Sequence, residues 1–344
     1  MALPLLSGCA QIRYVAHVSA GQMGLLLARK KLTPERVARL TPEEQRAVDD
    51  VREALELAVQ IGLHRSRSYR HLVERGEQDR VSVVVAAPAD RLEPLTWCFP
   101  IVGRVAYRGY FDAERARRFA GGLRRRGYDT YVRPALLYST LGWFSDPIPR
   151  ELLRYERFFV VDTILHEVVH ETIYVAGNTE YNESLATFIA HRGTLRLLRD
   201  EPGERERARK HFEDERLFAA LMRELAAELE RLYAQVSGRS EALRARRVVF
   251  RRYQQEIFPE LPWQTSAHAR FSTAELSNAY VLAHRAYLSH LSCFESELEE
   301  LGGDVEAFVA AHRQQPGPHR TPEACAEEAP HLEGGSRTVP PDQR

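Results

Sequence analysis

The chain has no net charge, no long apolar run and no internal repeat. Lysine and arginine together number 48, as do aspartate and glutamate, so charge gives no reason to expect a nucleic-acid or acidic partner. No segment contains 18 consecutive apolar residues, and none therefore resembles a transmembrane helix. With 44% hydrophobic residues among 344, the chain can still bury a sizeable core in one or two subdomains.

Arginine is concentrated in two stretches, residues 115–126 and 239–252. In both it alternates with apolar or acidic residues, which is typical of a solvated helix face and less typical of a nucleic-acid patch. We therefore expect no nucleic-acid partner.

Cysteine is scarce, and one of the four, Cys9, ends the tetrapeptide Leu-Ser-Gly-Cys. This is the pattern of a lipobox, whose cysteine is lipidated, although the charged region and most of the apolar region of a signal peptide are absent. We expect residues 1–9 to be a signal-peptide remnant and Cys9 to anchor the protein to a membrane; the alternative is an accidental match. If Cys9 is lipidated, a disulfide between Cys98 and Cys293 is possible, and the sequence leaves this pairing open.

The most informative motif is His-Glu-Val-Val-His, with His166 and His170 at its ends and Glu167 after the first histidine. On a helix the two imidazoles share one face and can hold one metal ion, while the glutamate can polarise a water. The flanking apolar residues predict a buried helix over about residues 155–175, with a strand as the alternative because many are β-branched. Buried histidine and glutamate are costly unless they are paired or bind a metal.

The third metal ligand is expected from the next helix, predicted at about residues 180–198. Glu183 lies in its first turn, and two histidines, one glutamate and an open position make up a catalytic zinc site. Glu183 can instead be a carboxylate that interacts with the helix dipole. Glu180 remains a rival ligand, whereas Glu171 directly follows His170 and points about 100° away from it.

The rest of the chain predicts an α+β fold that is mainly helical, with a small mixed sheet beside the motif helix. Strands are expected at residues 81–87, 104–110 and 129–133, with a helix at residues 112–126. Further helical segments are expected at residues 18–75, 204–236, 240–257, 273–301 and 304–312. We assign residues 10–312 to one catalytic region and residues 313–344 to a disordered tail.

Two further features are candidates for contact with a substrate. Residues 141–144, which include Gly142 and Trp143, can form an edge strand that pairs with substrate backbone; a core-packing aromatic loop is the alternative. Tyr280 and Tyr287 share one helix face, and either can donate a hydrogen bond to an oxyanion or belong to the core.

The motif, together with Asn-Glu-x-x-Ala at residues 182–186, resembles the gluzincin zinc peptidases. When the sequences of residues 100–112, 135–147 and 277–280 are considered together with the motif, the chain resembles the bacterial Putative aminopeptidase family over about residues 9–312. That resemblance implies zinc, a zincin-like metallopeptidase fold, aminopeptidase activity on peptides, and a membrane-anchored lipoprotein of the cell envelope that faces the periplasm.

The chain departs from the gluzincin pattern in one respect. Gluzincins often place a carboxylate four residues after the ligand glutamate to orient a histidine, but that position is Thr187 here. Asp162, one turn before His166, is the alternative partner. The spacer between His170 and Glu183 is also shorter than in the large aminopeptidases.

The predicted function is zinc-dependent peptide hydrolysis, with Glu167 as general base. One rival is a di-iron carboxylate bundle, which needs a second Glu-x-x-His; the only other one, residues 328–331, contains proline. A second rival is a non-catalytic envelope lipoprotein that retains the metal site. An aminopeptidase must also bind the substrate's α-ammonium group, for which Glu180 and Asp146 are the candidates.

Overall fold

A computed structural model describes residues 5–74, 81–99, 103–135, 137, 140–285 and 290–320. Over these residues the protein is mainly helical with small sheets, in agreement with the expected α+β composition. The helices are α1 Leu5–Ala28, α2 Pro34–Val37, α3 Pro42–Gln60, α4 Ala113–Arg125, α5 Arg157–Thr172, α6 Thr179–Leu197, α7 Pro202–Gln235, α8 Arg239–Arg252, α9 Asn278–Arg285, α10 Leu291–Glu300 and α11 Val305–Gln314. A zincin-like relationship of this fold stays a prediction.

The strands form three small sheets within the described ranges. They are β1 Lys30–Lys31, β2 His71–Val73, β3 Ser82–Pro88, β4 Trp97–Phe99, β5 Gly103–Val105, β6 Tyr107–Tyr110, β7 Tyr128–Pro134 and β8 Ile148–Pro149. β3 pairs antiparallel with β6 and β7, and β4 pairs antiparallel with β5. The third sheet is mixed, because β2 pairs antiparallel with β1 and parallel with β8. Leu72 and Ile148 of this sheet share a core cluster with α5.

Some predicted elements are divided in the structure. The helical stretch expected at residues 18–75 becomes α1, α2 and α3, followed by β2. Thr41 caps α3 and Pro42 begins it, while Gly62, at φ +89°, ends it with a Leu63 N–H bond to the Ala58 carbonyl of 2.8 Å. The left-handed conformation of Gly62 is one that residues with a Cβ rarely adopt.

The last long helix that the sequence predicts is also divided. Its span, residues 273–301, contains α9 and α10, and residues 286–289 between them lie outside the described ranges. Likewise, the strand expected at residues 104–110 is divided into β5 and β6.

α5 and α6 pack against each other in the largest core cluster. Within α5, Val160, Ile164 and Val168 are fully buried, and each such side chain contributes roughly 1.5–3 kcal/mol of transfer free energy. Gly193 lets α6 approach closely, since a Cβ there would lie 2.8 Å from Cδ1 of Leu165. This contact brings together the two helices that carry the predicted metal ligands.

α3 packs on α5 and is tied to the segment that precedes α5. Thr41 and Glu44 form a capping box at the start of α3. The buried Glu44 carboxylate also accepts hydrogen bonds from Nε and Nη2 of Arg150, at 2.8 and 2.9 Å. Arg150 begins the short 3-10 helix Arg150–Arg154, which leads into α5.

The suggested disulfide between Cys98 and Cys293 is wrong. Cys98 carries an exposed thiol on β4, whereas Cys293 is buried in α10 and is disulfide-bonded. The side chain of Cys98 is exposed and that of Cys293 is buried, a difference that the apolar neighbours of both cysteines in the sequence did not reveal.

The two chain ends are described in part. Cys9 lies within α1, residues 1–4 lie outside the described ranges, and lipidation of Cys9 stays a prediction. No helix among the described residues is long and apolar enough to cross a membrane. At the other end, residues 315–320 follow α11, and residues 321–344, which include the second Glu-x-x-His, lie outside the described ranges.

Candidate metal centre

The motif segment is helical, which answers the question of strand or helix. α5 runs from Arg157 to Thr172 without interruption through the β-branched residues. Its apolar residues are buried on several sides of the helix, so burial rather than amphipathic periodicity stabilises it. His166, Glu167 and His170 therefore lie on adjacent turns of one rigid element.

The connection between α5 and α6 is held by two asparagines. Asn178 caps α6, its side chain accepting from the backbone N–H of Tyr181 at 3.2 Å. Asn182 closes the turn from the other side, because its amide accepts from the Val175 N–H and donates to the Val175 carbonyl, both at 2.8 Å. The sequence alone gave Asn182 no structural role. Its position directly before the predicted ligand Glu183 was the feature that pointed to one.

The structure brings the three predicted ligands together. Nε2 of His166 and Nε2 of His170 lie 3.1 Å apart. Oε2 of Glu183 lies 3.4 Å from the former and 3.7 Å from the latter. His170 and Glu183 are buried, and His166 is partly buried. These residues form a group that can hold a metal ion.

Both the spacing and the ring orientation fit a tetrahedral ion. Zinc bonds of roughly 2.0–2.2 Å in tetrahedral geometry separate neighbouring ligand atoms by about 3.3 Å. The two imidazole planes meet at 86°. Because the lone pair of each ring nitrogen lies in its ring plane, rings at this angle can direct both lone pairs at a common point.

A second group, Glu297, His312 and His319, has the right residue types but the wrong ring geometry. Both histidines approach Oε2 of Glu297 at 3.1 Å. Their rings, however, are stacked 4.3 Å apart at an angle of 4°. An ion in the plane of one ring then lies outside the plane of the other, so this group is a hydrogen-bonded contact between α10, α11 and the segment that follows.

The ligand group is strongly coupled electrostatically. Burial raises the pKa of Glu183, but the positive charge and hydrogen bonds offered by His170 and His166 outweigh it and hold the pKa below its usual range. Burial lowers the pKa of His170, and the Glu183 carboxylate reverses this and raises it. The same attraction of Glu183 for positive charge would favour a bound cation.

Glu167 lies between the two histidines in sequence and has a perturbed carboxyl group. Burial is the main cause that raises its pKa; His166 and His170 oppose it, while Glu183 and Glu171 add to it. A carboxyl group with a raised pKa is a stronger base than an exposed glutamate.

Behind the ligands, a charged network joins three helices. Nε2 of His191, on α6, lies 2.9 Å from Oε2 of Glu215 on α7 and 3.9 Å from Oδ1 of Asp162 on α5. Burial raises the pKa of Asp162 to about 6, opposed by His191 and, more weakly, by His166. Asp162 is thus within electrostatic reach of His166, as an outer-sphere partner must be, and that role stays a prediction. Sequence reasoning missed His191 and Glu215.

The rival carboxylates are engaged elsewhere. Glu180 is half-exposed, and its Oε1 lies 3.6 Å from Nε of Arg285. Asp146 is 1% exposed, and its Oδ2 accepts from the N–H and hydroxyl of Thr140 at 2.7 and 2.8 Å. Its Oδ1 accepts from Gln22 at 3.2 Å. Asp146 therefore holds a loop in shape.

The edge strand expected at residues 141–144 is wrong, because these residues form a turn. Leu141 and Gly142 have φ of 55° and 76°, and the N–H of Trp143 bonds to the Thr140 carbonyl at 3.1 Å. A chain with two successive positive φ values cannot present a straight hydrogen-bonding edge. The turn nevertheless lies at the site, since a Cβ on Gly142 would be 3.5 Å from Cγ of Glu171. Trp143 is 66% exposed.

Two tyrosines have different relations to the site. The Tyr280 ring packs on Tyr131 and His284, at 4.9 and 4.4 Å, in a core cluster of α7, α8 and α9. Tyr174, in the α5–α6 connection, is instead coupled to the site: burial mainly raises its pKa, and the Glu183 charge adds to the effect. Tyr287 lies outside the described residues. Sequence reasoning missed Tyr174, although it follows the motif by only four residues.

Two histidines of one helix and a glutamate of the next thus define a potential metal-binding protein. A family model described as Putative aminopeptidase matches residues 13–320, and the chain belongs to this family. No curated protein and no solved structure matches the chain.

Proposed function

We propose that this protein is a zinc-dependent aminopeptidase of gluzincin type. The observation that carries the proposal is the convergence of His166, His170 and Glu183, with ligand atoms 3.1–3.7 Å apart and perpendicular imidazole rings. The family of the chain supports peptide hydrolysis as the reaction. A catalytic rather than structural ion is favoured because the chain supplies three ligands of mixed type.

Each residue of the site has a distinct task. His166, His170 and Glu183 would hold the ion, which when bound supplies a Lewis acid that lowers the pKa of a coordinated water. Glu167 accepts the proton of the attacking water and passes it to the leaving amine. Its burial suits the first step, because a raised pKa makes Glu167 a stronger base than an exposed glutamate.

The oxyanion of the transition state needs a hydrogen-bond donor. We assign this task to Tyr174, whose raised pKa keeps the hydroxyl protonated and whose coupling to Glu183 indicates proximity to the ligands. Gly142 and Trp143 are retained as substrate contacts in the form of a turn, with the exposed indole of Trp143 available to an apolar side chain.

The decisive experiment uses the variants Glu167→Gln and His166→Ala. Glu167→Gln should retain about one zinc per chain and lose peptidase activity by about 100-fold or more, because the base is removed and the ligands are kept. His166→Ala should lose both zinc and activity. If wild-type protein with its full zinc content cleaves no member of a free-amine peptide library, the non-catalytic lipoprotein becomes the better description.

We also propose that the protein is a lipoprotein of the cell envelope, anchored through Cys9 and facing the periplasm. The support is the Leu-Ser-Gly-Cys sequence. Mass spectrometry of envelope-derived protein, expressed with any upstream signal, should detect an acylated Cys9. An unmodified Cys9 thiol in that material would contradict the anchor.

A further inference from the structure

Glu171 is a carboxylate near the site for which no hydrogen bond or ion pair is found among the described residues. Its Oε1 is buried and has no hydrogen-bond partner among the described residues, and no ion pair with Glu171 is found there. A buried carboxylate oxygen without a partner destabilises the protein, so such an oxygen indicates a binding partner that arrives from outside.

The surroundings of Glu171 favour a cation. The charge of Glu171 acts on both the Glu167 and the Asp146 carboxyl groups, so Glu171 lies within electrostatic reach of each of them. Asp146 uses its oxygens on Thr140 and Gln22, and Glu167 is needed for proton transfer. Glu171 alone among the three has a buried oxygen available to an incoming positive charge.

The geometry points to Glu171 as the carboxylate that binds the α-ammonium group of the substrate's first residue, an inference that rests on the proposed peptidase function. Glu167 and Glu171 are four residues apart on α5, so their Cβ atoms lie about 5–6 Å apart on one face. In a peptide, the α-nitrogen lies about 2.5 Å from the carbonyl carbon of its own residue. A substrate attacked beside Glu167 therefore presents its ammonium within reach of Glu171.

The turn beside Glu171 explains why the site accepts a chain end. Gly142 lies against the Glu171 side chain, and Asp146 holds the turn through Thr140. Because the turn occupies space next to the Glu171 side chain, we expect it to hinder a residue that precedes the paired ammonium group. The substrate class is thus peptides with a free N-terminus.

The test compares a peptide with its N-acetylated twin on zinc-loaded enzyme. Wild type should prefer the free peptide, and Glu171→Gln should lower kcat/KM for it by about 10- to 100-fold while changing that of the acetylated peptide little. Glu171→Asp, which keeps the charge, should restore part of the preference. Glu180→Gln is the matched control and should keep the wild-type preference, since Glu180 pairs with Arg285.

A calorimetric arm separates this inference from the proposed function. In the Glu167→Gln background, the free peptide should bind at least about 10-fold more tightly than after the further change Glu171→Gln, whether or not wild type cleaves peptides. Equal binding by the two proteins overturns the assignment, as does an unchanged preference in Glu171→Gln. Loss of zinc from Glu171→Gln also overturns it, because Glu171 would then be a ligand. Failure of wild type to cleave either peptide counts against the peptidase function only.

Discussion

At the scale of single residues, the role of a side chain depends less on its residue type than on the partners that the fold supplies. Glu171, Glu180 and Glu183 are three glutamates within thirteen positions, yet each has a different environment. Glu183 faces two imidazoles, Glu180 faces an arginine, and Glu171 has a buried oxygen without a described partner. The same side chain can therefore be a metal ligand, a surface ion pair or a substrate anchor.

Glu183→Gln should weaken zinc binding far more than Glu180→Gln. A ligand carboxylate supplies charge as well as a bond, so its loss should exceed the roughly 10- to 100-fold that removal of an outer partner costs. Competition titrations with a chelator of known affinity measure both variants. A larger loss in Glu180→Gln would show that the third ligand is misassigned.

Tyr174→Phe should lower kcat by about 100-fold or more, the typical cost of removing one oxyanion donor. Zinc content and the free energy of unfolding should change little. Tyr280→Phe is the matched control: its ring lies in a core cluster, so activity at saturating zinc should be retained. Equal activity of Tyr174→Phe and wild type would remove Tyr174 from the mechanism.

At the scale of elements, the close contact between α5 and α6 determines how near the predicted metal ligands of the two helices lie to one another. Gly193→Ala places a Cβ 2.8 Å from the buried Leu165, and such overpacking costs about 1–3 kcal/mol. The strain should push α6 outward and weaken zinc binding as well. Chemical denaturation and a zinc titration measure the two effects.

The control for this prediction is Gly122→Ala in α4. There the nearest atom to an added Cβ is Nη2 of the flexible Arg125 at 4.0 Å, so the gain in helix propensity of about 0.5–1 kcal/mol should dominate. If both variants are stabilised, α5 and α6 are not as closely packed as the structure shows.

Glu44 of α3 and Arg150 of the segment before α5 form an ion pair, and the stability that this pair contributes should depend on pH. Hydrogen bonds from Arg150 are the main cause that lowers the pKa of Glu44, with burial in opposition. A lowered pKa in the folded state stabilises the protein above the usual carboxyl pKa, and this contribution is lost as the pH falls through the folded value. Glu44→Gln should therefore cost about 1–2 kcal/mol at pH 7, since Arg150 is partly exposed.

Denaturation curves at pH 7 and near pH 3 check this prediction. The difference between wild type and Glu44→Gln should shrink at the lower pH. Glu43→Gln, which removes an exposed pair with Arg46, should show a smaller loss at pH 7. A difference that grows on acidification would contradict the assigned direction of the pKa.

At the scale of the whole molecule, the described part of the chain should bind one catalytic metal ion and not two. The group of Glu297, His312 and His319 has stacked rings that cannot share an ion. Metal analysis of purified protein should give about one zinc per chain. His312→Ala should keep that zinc, yet lower the free energy of unfolding by about 1–3 kcal/mol, because Glu297 and the hydroxyl of Tyr181 each lose a buried hydrogen bond and Glu297 keeps only the more exposed His319.

Two zinc ions per wild-type chain, with one lost in His312→Ala, would contradict this reading of the ring geometry. Chelation of the single ion should also lower the melting temperature, since an ion that binds only the folded state stabilises it.

Local patterns were sufficient for several features. The spacing of His166 and His170 put both imidazoles on one helix face, because the helical period is a property of neighbouring residues. The helix predicted at residues 112–126 likewise corresponds to α4, because hydrogen bonds within a few positions of a helix end determine where the helix begins and ends. The motif and its neighbours also pointed to the family, which the match over residues 13–320 confirms.

Contacts between distant elements were decided only by the tertiary structure. Glu183, rather than Glu180, faces the histidines because of the orientation of α6 on α5, and the two helices approach each other closely at Gly193. The carboxylate of Asp146 accepts hydrogen bonds from Thr140 and Gln22, and the spacing of these residues in the sequence does not indicate such contacts. By itself, the sequence determined which side chains could bind a metal. The packing of separate elements determined which of them meet, because burial and charge pairing act between residues that are far apart along the chain.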